Sequence, residues 1–417
     1  MGESKAISVL GKQSLRVLLA GLLAAGCAAA IRAAPPPSTS TTPRPSSTSP
    51  LPFYGQVRTL GAGTEWRFQP LVVDLNRDGH LDLVATARLV KPSLYIWFGD
   101  GNGLFTPGAP TWSDVGYAAL ATGDINRDGF PDIVAASHFG GVQTLLSDGQ
   151  GGFTEKVMRQ NDGYVAAQLL DVDGDGQLDL VLLGYRTAGI EIYLGDGTGN
   201  WKLYATLPET RPGPTMPGRA LAVADLDHDG YLDVVAAFQR WGVYVYYGDG
   251  RGRFTGGPVD FYSASREFQS LAVGDVNGDG HLDIVLNGTL AGRDQPNGPD
   301  VYLGNGRRTW KAASDGLKVL KFASAGLALG DLDGDGNLDI VAAGKISADV
   351  RDGHGLFWFR GDGNGGWQLV RESGLPTKGL PVVHGIALAK LERDGVMQII
   401  ALGGDRNGSI TVWKPQR

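Results

Sequence analysis

One short string constrains this chain more than any other feature. It reads DLNRDGHLD from Asp74, DINRDGFPD from Asp124, DVDGDGQLD from Asp171, DLDHDGYLD from Asp225, DVNGDGHLD from Asp275 and DLDGDGNLD from Asp331, with a degenerate seventh, KLERDGVMQ, from Lys390. The spacing, roughly fifty residues, belongs to propeller-type arrays rather than to helical solenoids. Each of the six intact units carries a second signature about two strands later: WFGDGNGLF, LLSDGQGGF, YLGDGTGNW, YYGDGRGRF, YLGNGRRTW and WFRGDGNGGW. A unit therefore reads as an inner strand of small apolar residues, the acidic loop, a second strand, a variable connection, an aromatic third strand, a Gly-rich turn and a fourth strand. Small residues suit a crowded centre, and aromatics suit the widening outer part of a wedge.

Composition agrees: 64 glycines with only 19% charged residues favour short strands and tight turns. The chain ends in SITVWKPQR, a third strand without a fourth, while FYGQV (Phe53 to Val57) occupies the pattern position of FTEKV (Phe153 to Val157). The first ordered strand is therefore expected to complete the last blade and remove two sheet edges. The expected fold class is all-β: a seven-bladed β-propeller of four-stranded blades over residues 52–417, closed by the N-terminal strand.

The acidic loop suits a cation with hard oxygen ligands. Positions 1, 3 and 5 present side-chain oxygens to one point, Gly at 6 permits the sharp turn, the carbonyl at 7 can join, and Asp at 9 closes the shell. The candidate ligands are Asp74, Asn76, Asp78 and Asp82; Asp124, Asn126, Asp128 and Asp132; Asp171, Asp173, Asp175 and Asp179; Asp225, Asp227, Asp229 and Asp233; Asp275, Asn277, Asp279 and Asp283; and Asp331, Asp333, Asp335 and Asp339. An EF-hand needs a Glu at position 12, where this chain has Ala85, Ala135, Leu182, Ala236, Leu286 and Ala342. The loops thus belong in β-hairpins. Ca²⁺, up to six ions, is the expected cofactor, since flexible carboxylate and carbonyl ligation favours it over Mg²⁺. In the seventh loop Lys390 and Gln398 replace the outer acids, and the Lys390 amine is expected to neutralise Glu392 and Asp394 without a metal.

At the N-terminus, Lys5, Lys12 and Arg16 accompany an apolar run, Val17 to Ala25, too short to span a bilayer. It leads to Cys27, the single cysteine, so no internal disulfide forms. LLAAGC resembles a bacterial lipoprotein signal, with Ala24 where that pattern prefers Leu. The resemblance implies a signal peptide over residues 1–26 and lipidation of Cys27; the alternative is ordinary cleavage at a nearby Ala-rich site. Residues 27–51, rich in Pro, Ser and Thr, read as an extended tether. The expected location is the bacterial cell envelope, with the membrane reached only through an N-terminal lipid at the outer membrane or cell surface.

The loops and strands together resemble the FG-GAP/VCBS repeats of integrin alpha-chain propellers and of many bacterial surface proteins, over essentially residues 52 to 417. The resemblance implies a seven-bladed propeller with structural Ca²⁺ and, commonly, adhesion or ligand binding. Related repeats also resemble parts of fungal lectins and carbohydrate-active enzymes.

Antiparallel geometry puts the acidic loops and Gly-rich turns on one face and the variable connections on the other. That second face includes Asn287 to Asp300, Gly344 to Gly355 and Pro208 to Gly218. Near the ends of the second strands come Arg88, His138, Tyr185, Phe238, Thr289 and Lys345; near the starts of the inner strands come Arg67, Tyr117, Tyr164, Arg219, Phe268 and His384. The basic and aromatic members suit an anionic or sugar-like ligand. His80, His228 and His281 fall on variable loop positions and are expected to be solvated. No Ser-His-Asp order, histidine metal cluster, phosphate loop or paired-Glu constellation stands out, and scattered Lys and Arg within a net charge of -7 argue against nucleic acid. The leading function is a binding or adhesion module for a glycan or surface protein. The alternatives are a polysaccharide lyase-like enzyme and a purely structural envelope component.

Overall fold

The computed structural model describes residues 51–88, 90, 92–108, 118–158, 162–186, 189–208, 215–239, 241–259, 266–290, 297–347 and 349–416. Residues 1–50, which include Cys27 and nearly all of the expected signal and tether, and Tyr117 lie outside the described residues, as do parts of the variable connections. Seven four-stranded antiparallel sheets follow one another along the chain. Their inner strands are Glu65–Val73, Ala118–Gly123, Tyr164–Leu170, Gly218–Ala224, Arg266–Gly274, Phe322–Gly330 and Val383–Ala389. Each packs against the inner strand of the next blade, and the last returns to the first, closing a ring. The only helix among the described residues is a single 3₁₀ turn, Val350–Asp352.

The last blade closes as the sequence pattern requires. Phe53–Leu60 pairs antiparallel with Ile410–Gln416, from Phe53 opposite Gln416 to Leu60 opposite Ile410. Tyr54 anchors this closure: its ring is fully buried edge-on to Trp358, and its hydroxyl lies 3.3 Å from the carbonyls of both Leu332 and Met397. The second strands Asp132–Ser137, Asp179–Gly184, Asp233–Phe238 and Gln398–Gly403 are buried at every position. A strand covered on both faces by neighbouring blades needs apolar residues without alternation.

Between blades, polar side chains supply hydrogen bonds that the sheets do not. Asn287, fully buried in the strand Asp283–Leu290 rather than in a variable loop, donates to the Ser324 carbonyl at 2.8 Å and faces those of Gly326 and Ala343. The Gly-rich turns have a local cause as well. One oxygen of Asp100 accepts the amides of Asn102 and Leu104 at 2.8 and 2.9 Å, and Gly101 and Gly103 take φ of 68° and 89°, which a side chain would strain. Asp148, Asp249 and Asp362 repeat the arrangement.

Candidate functional site

Each acidic loop joins an inner strand to a second strand. The first aspartate caps the loop: Asp74 accepts the amides of Asp78 and Gly79 at 3.1 and 2.9 Å. The ninth residue opens the second strand and is buried in all six intact units. Its two oxygens hold two amides each time. Asp82 accepts Leu75 and Gly99; Asp132, Ile125 and Ser147; Asp179, Val172 and Gly195; Asp233, Leu226 and Gly248; Asp283, Val276 and Gly304; Asp339, Leu332 and Gly361. The ninth carboxylate is thus a staple between the acidic loop and the neighbouring Gly-rich turn.

Two oxygens bound to one Ca²⁺ at about 2.4 Å lie no more than about 4.8 Å apart. Oxygens of Asp171, Asp173 and Asp179 meet that limit, as do those of Asp225, Asp227 and Asp229 and of Asp331, Asp333 and Asp339. Oδ1 of Asp124 is buried without a hydrogen-bond partner, a lone pair aimed at nothing in the protein. The donor set therefore fits a divalent cation. The seventh loop differs from expectation in one detail: its acids are neutralised by Lys414, 2.6 Å from both Glu392 and Asp394, while Lys390 turns to the axis. The loop histidines stay at the surface, His228 exposed and His80 and His281 half-buried, and also make contacts between loops. His80 lies 2.8 Å from Arg393 of the last blade, and the His228 and His281 rings lie 5.2 Å apart, so they join neighbouring loops.

A cavity of about 860 Å³ runs along the axis, walled by inner-strand residues such as Ala119, Ala166, Leu221, Ala272 and Leu327. Of the candidate ligand residues, Arg67, Arg88, His138, Tyr185, Arg219 and His384 line it. They stand at strand ends remote from the acidic loops. Tyr164 does not join them: it is buried inside its blade, and its hydroxyl, like that of Tyr193, donates to Glu191 at 2.8 Å. Phe268 is equally buried. Val165 and Gln269, one residue further on, line the cavity instead, because one step along a strand reverses the face. Phe238 is also buried, and the next residue, Gln239, bonds to Arg219 and, at 3.2 Å, to Glu267. Lys345 does not line the cavity, and the side chain of Thr289 lies outside the described residues.

Residues 74–135, 124–182, 171–236 and 225–286 match the family described as FG-GAP-like repeat, and residues 268–306 match the FG-GAP repeat. The chain belongs to the FG-GAP repeat family. A stretch of 154 residues is 27% identical to mouse integrin alpha-IIb, taking in 29% of this chain and 15% of that protein, so the FG-GAP propeller corresponds to a small part of that relative's length. Among solved structures, the fold is similar to that in a crystal structure of BBS1N in complex with ARL6DN, soaked with lead. The TM-score is 0.52 at 12% identity, over 88% of this chain and 98% of that one, and this likeness concerns the fold alone.

Electrostatics separate the two faces of the FG-GAP propeller. Burial pushes Asp82, Asp132 and Asp179 up to about 6 and Asp233, Asp283 and Asp339 up to about 7, against their amide hydrogen bonds and with added repulsion from loop carboxylates. A bound cation would reverse that shift. At the other mouth, burial and then the charges of Arg67, Arg186, Arg88 and Arg219 lower His138 to about 4; burial and then Arg67 lower His384 to about 4. The rings of His138 and Tyr185 are 3.7 Å apart, Arg186 lies 5.5 Å from the centre of the Tyr185 ring, and Phe139 is exposed beside them. Glu65, absent from the candidate residues, is buried against Arg67 at 2.6 Å and Arg88 at 3.2 Å. Burial opposes its ionisation, yet the hydrogen bonds and charges of both arginines hold its carboxyl below the usual value. Its place two residues before Arg67 on one strand was the available signal, because residues two apart share a face.

Proposed function

We propose that this FG-GAP propeller is a surface-displayed binding module that takes an anionic group of a glycan or protein at the axial mouth opposite the acidic loops, while calcium stiffens those loops. One observation carries the reading: Arg67, Arg88 and Arg219 converge with His138 and Tyr185 at one end of an 860 Å³ cavity. Glu65 offsets one of the positive charges of Arg67 and Arg88. The Nε of Arg219 is buried with no hydrogen-bond partner, an unmet donor that a ligand carboxylate or sulfate would satisfy. Tyr185 and the exposed Phe139 supply flat apolar faces for a sugar ring or an aromatic side chain. The integrin alpha-IIb relative supports a place at the cell surface. Screening the calcium-loaded protein against acidic and neutral glycans tests the reading. Preference for acidic members, lost in Arg219→Met, supports it; binding indifferent to ligand charge and to Arg219 contradicts it.

A second reading draws on the contact between the His138 and Tyr185 rings. Neutral His138 beside a phenol, with arginines to neutralise a uronate, suits β-elimination: a base removes the proton α to the carboxylate and the glycosidic oxygen leaves from the adjacent carbon. Ultraviolet absorbance of unsaturated uronate products during incubation with acidic polysaccharides distinguishes turnover from binding.

A further inference from the structure

We propose that the sixth acidic loop, intact in sequence, carries its own counter-ion in Arg360 and therefore binds calcium more weakly than the loops opened by Asp74, Asp124, Asp171 and Asp275. The inference rests on the reading that calcium occupies the acidic loops. Arg360 lies on the strand Gly355–Gly361. Its Nε is 2.5 Å from Asp333 Oδ2 and its Nη2 is 2.7 Å from Asp335 Oδ2. These carboxylates hold positions 3 and 5 of the loop, two of the side chains that a metal would need. Both are nearly buried, at 6% and 11% side-chain exposure, so the pairs are poorly screened by water.

The degenerate seventh loop has the same wiring. Lys414 lies 2.6 Å from Glu392 and from Asp394, again positions 3 and 5. The two cations are equivalent in the fold: Arg360 follows Phe359, which pairs with Ile340, and Lys414 follows Trp413, which pairs with Ile399. The same register in the other blades gives Phe98, Leu146, Leu194, Tyr247 and Leu303, none of them charged. Blade four receives a cation by another route. Arg308, from the turn of blade five, lies 4.2 Å from the centre of the Tyr247 ring and pairs with Asp227, its position 3, at 2.7 Å.

The blades therefore form a series. Five blades have no cation at this register, the fourth loop is bridged once by Arg308 from outside it, the sixth loop is bridged twice, and in the seventh two ligand positions are also replaced. A guanidinium keeps its charge at any ordinary pH, so an ion entering the sixth loop must break two charge-assisted hydrogen bonds and then sit beside a fixed positive charge. Oxygens of Asp331, Asp333 and Asp339 still converge, so the expected consequence is lower affinity rather than a lost site. Since loop charge tunes calcium affinity over orders of magnitude, the sixth loop should be weaker by about tenfold or more.

The test is calcium titration of the chelator-treated full chain by calorimetry, with native mass spectrometry to count ions. In Arg360→Leu, one weak calcium should become tight, whereas Lys414→Leu should add none because its loop keeps only two acids. Leu303→Arg, which places a cation at the same register of blade five, should weaken one tight site and serves if Arg360→Leu folds poorly. Unchanged affinities in Arg360→Leu and Leu303→Arg, with other loops filled, overturn the role of Arg360. Absence of calcium uptake by any variant or by the parent overturns the calcium reading itself.

Discussion

Gln69 and Ile386 meet across the join between the first and last blades: the Gln69 side-chain nitrogen donates to the Ile386 carbonyl, and its oxygen accepts the Ile386 amide at 3.3 Å. One side chain thus satisfies both backbone groups of a residue 317 positions away, where the adjoining inner strands belong to separate sheets. Gln69→Leu leaves those groups unpaired and is expected to destabilise the protein by about 1–3 kcal/mol. The midpoint of urea denaturation measures it.

The ninth loop aspartates make a second prediction. Asp233→Asn preserves shape but offers a single acceptor oxygen, so either the Leu226 or the Gly248 amide loses its partner. The expected loss is about 1–3 kcal/mol, measured in chelator so that calcium does not contribute. The exposed Asp249, substituted in the same way, should cost less than half as much.

Closure by the N-terminal strand predicts an outsized role for one tyrosine. Tyr54→Ala removes a fully buried ring from between the sixth and seventh blades and is expected to cost about 3–5 kcal/mol. Hydrogen exchange should show faster opening of Ile410–Gln416 than of the third strands of blades two and three.

The buried histidines give a pH dependence. His138, His354 and His384 are each lowered to about 4 by burial, with nearby positive charges adding. Between the unfolded value of about 6.5 and 4 the unfolded chain binds more protons, so their contribution is intact above pH 6.5 and lost as pH falls toward 4. Imidazole resonances in the folded protein should titrate with midpoints near 4 for these three.

Blade number, strand order and the closing strand were legible because one string repeats with an invariant register and because the last unit lacks a strand that the N-terminus supplies. The ring of candidate ligands was legible only in part. Six of its residues share the cavity, but Tyr164 and Phe268 point into their blades because they stand one residue before the bulge, with register shifts at Tyr164/Ala166 and Phe268/Ser270, whereas Arg219 and His384 sit inside the same bulge at Gly218/Ala220 and Val383/Gly385 and face the axis. In blade one the shift falls later, between Arg67 and Leu71, with Phe68 at a φ of 63°, so Arg67 keeps the axial face. A bulge has no reliable signal in a single sequence, yet it reverses every side chain beyond it. Lys414 and Arg360 escaped notice for a different reason. Their partners lie 20 to 27 residues away across a hairpin, and only the strand pairing brings them together.

The claim on which the account turns is that the aspartate loops are cation sites holding the hairpins of a closed ring. Scanning calorimetry of the full chain, first in chelator and then with calcium at about a hundred times the dissociation constant, tests it most directly. At that excess each filled site adds about 2.7 kcal/mol, so several sites together should raise the melting temperature by well over ten degrees. An identical melting profile with and without calcium would contradict it.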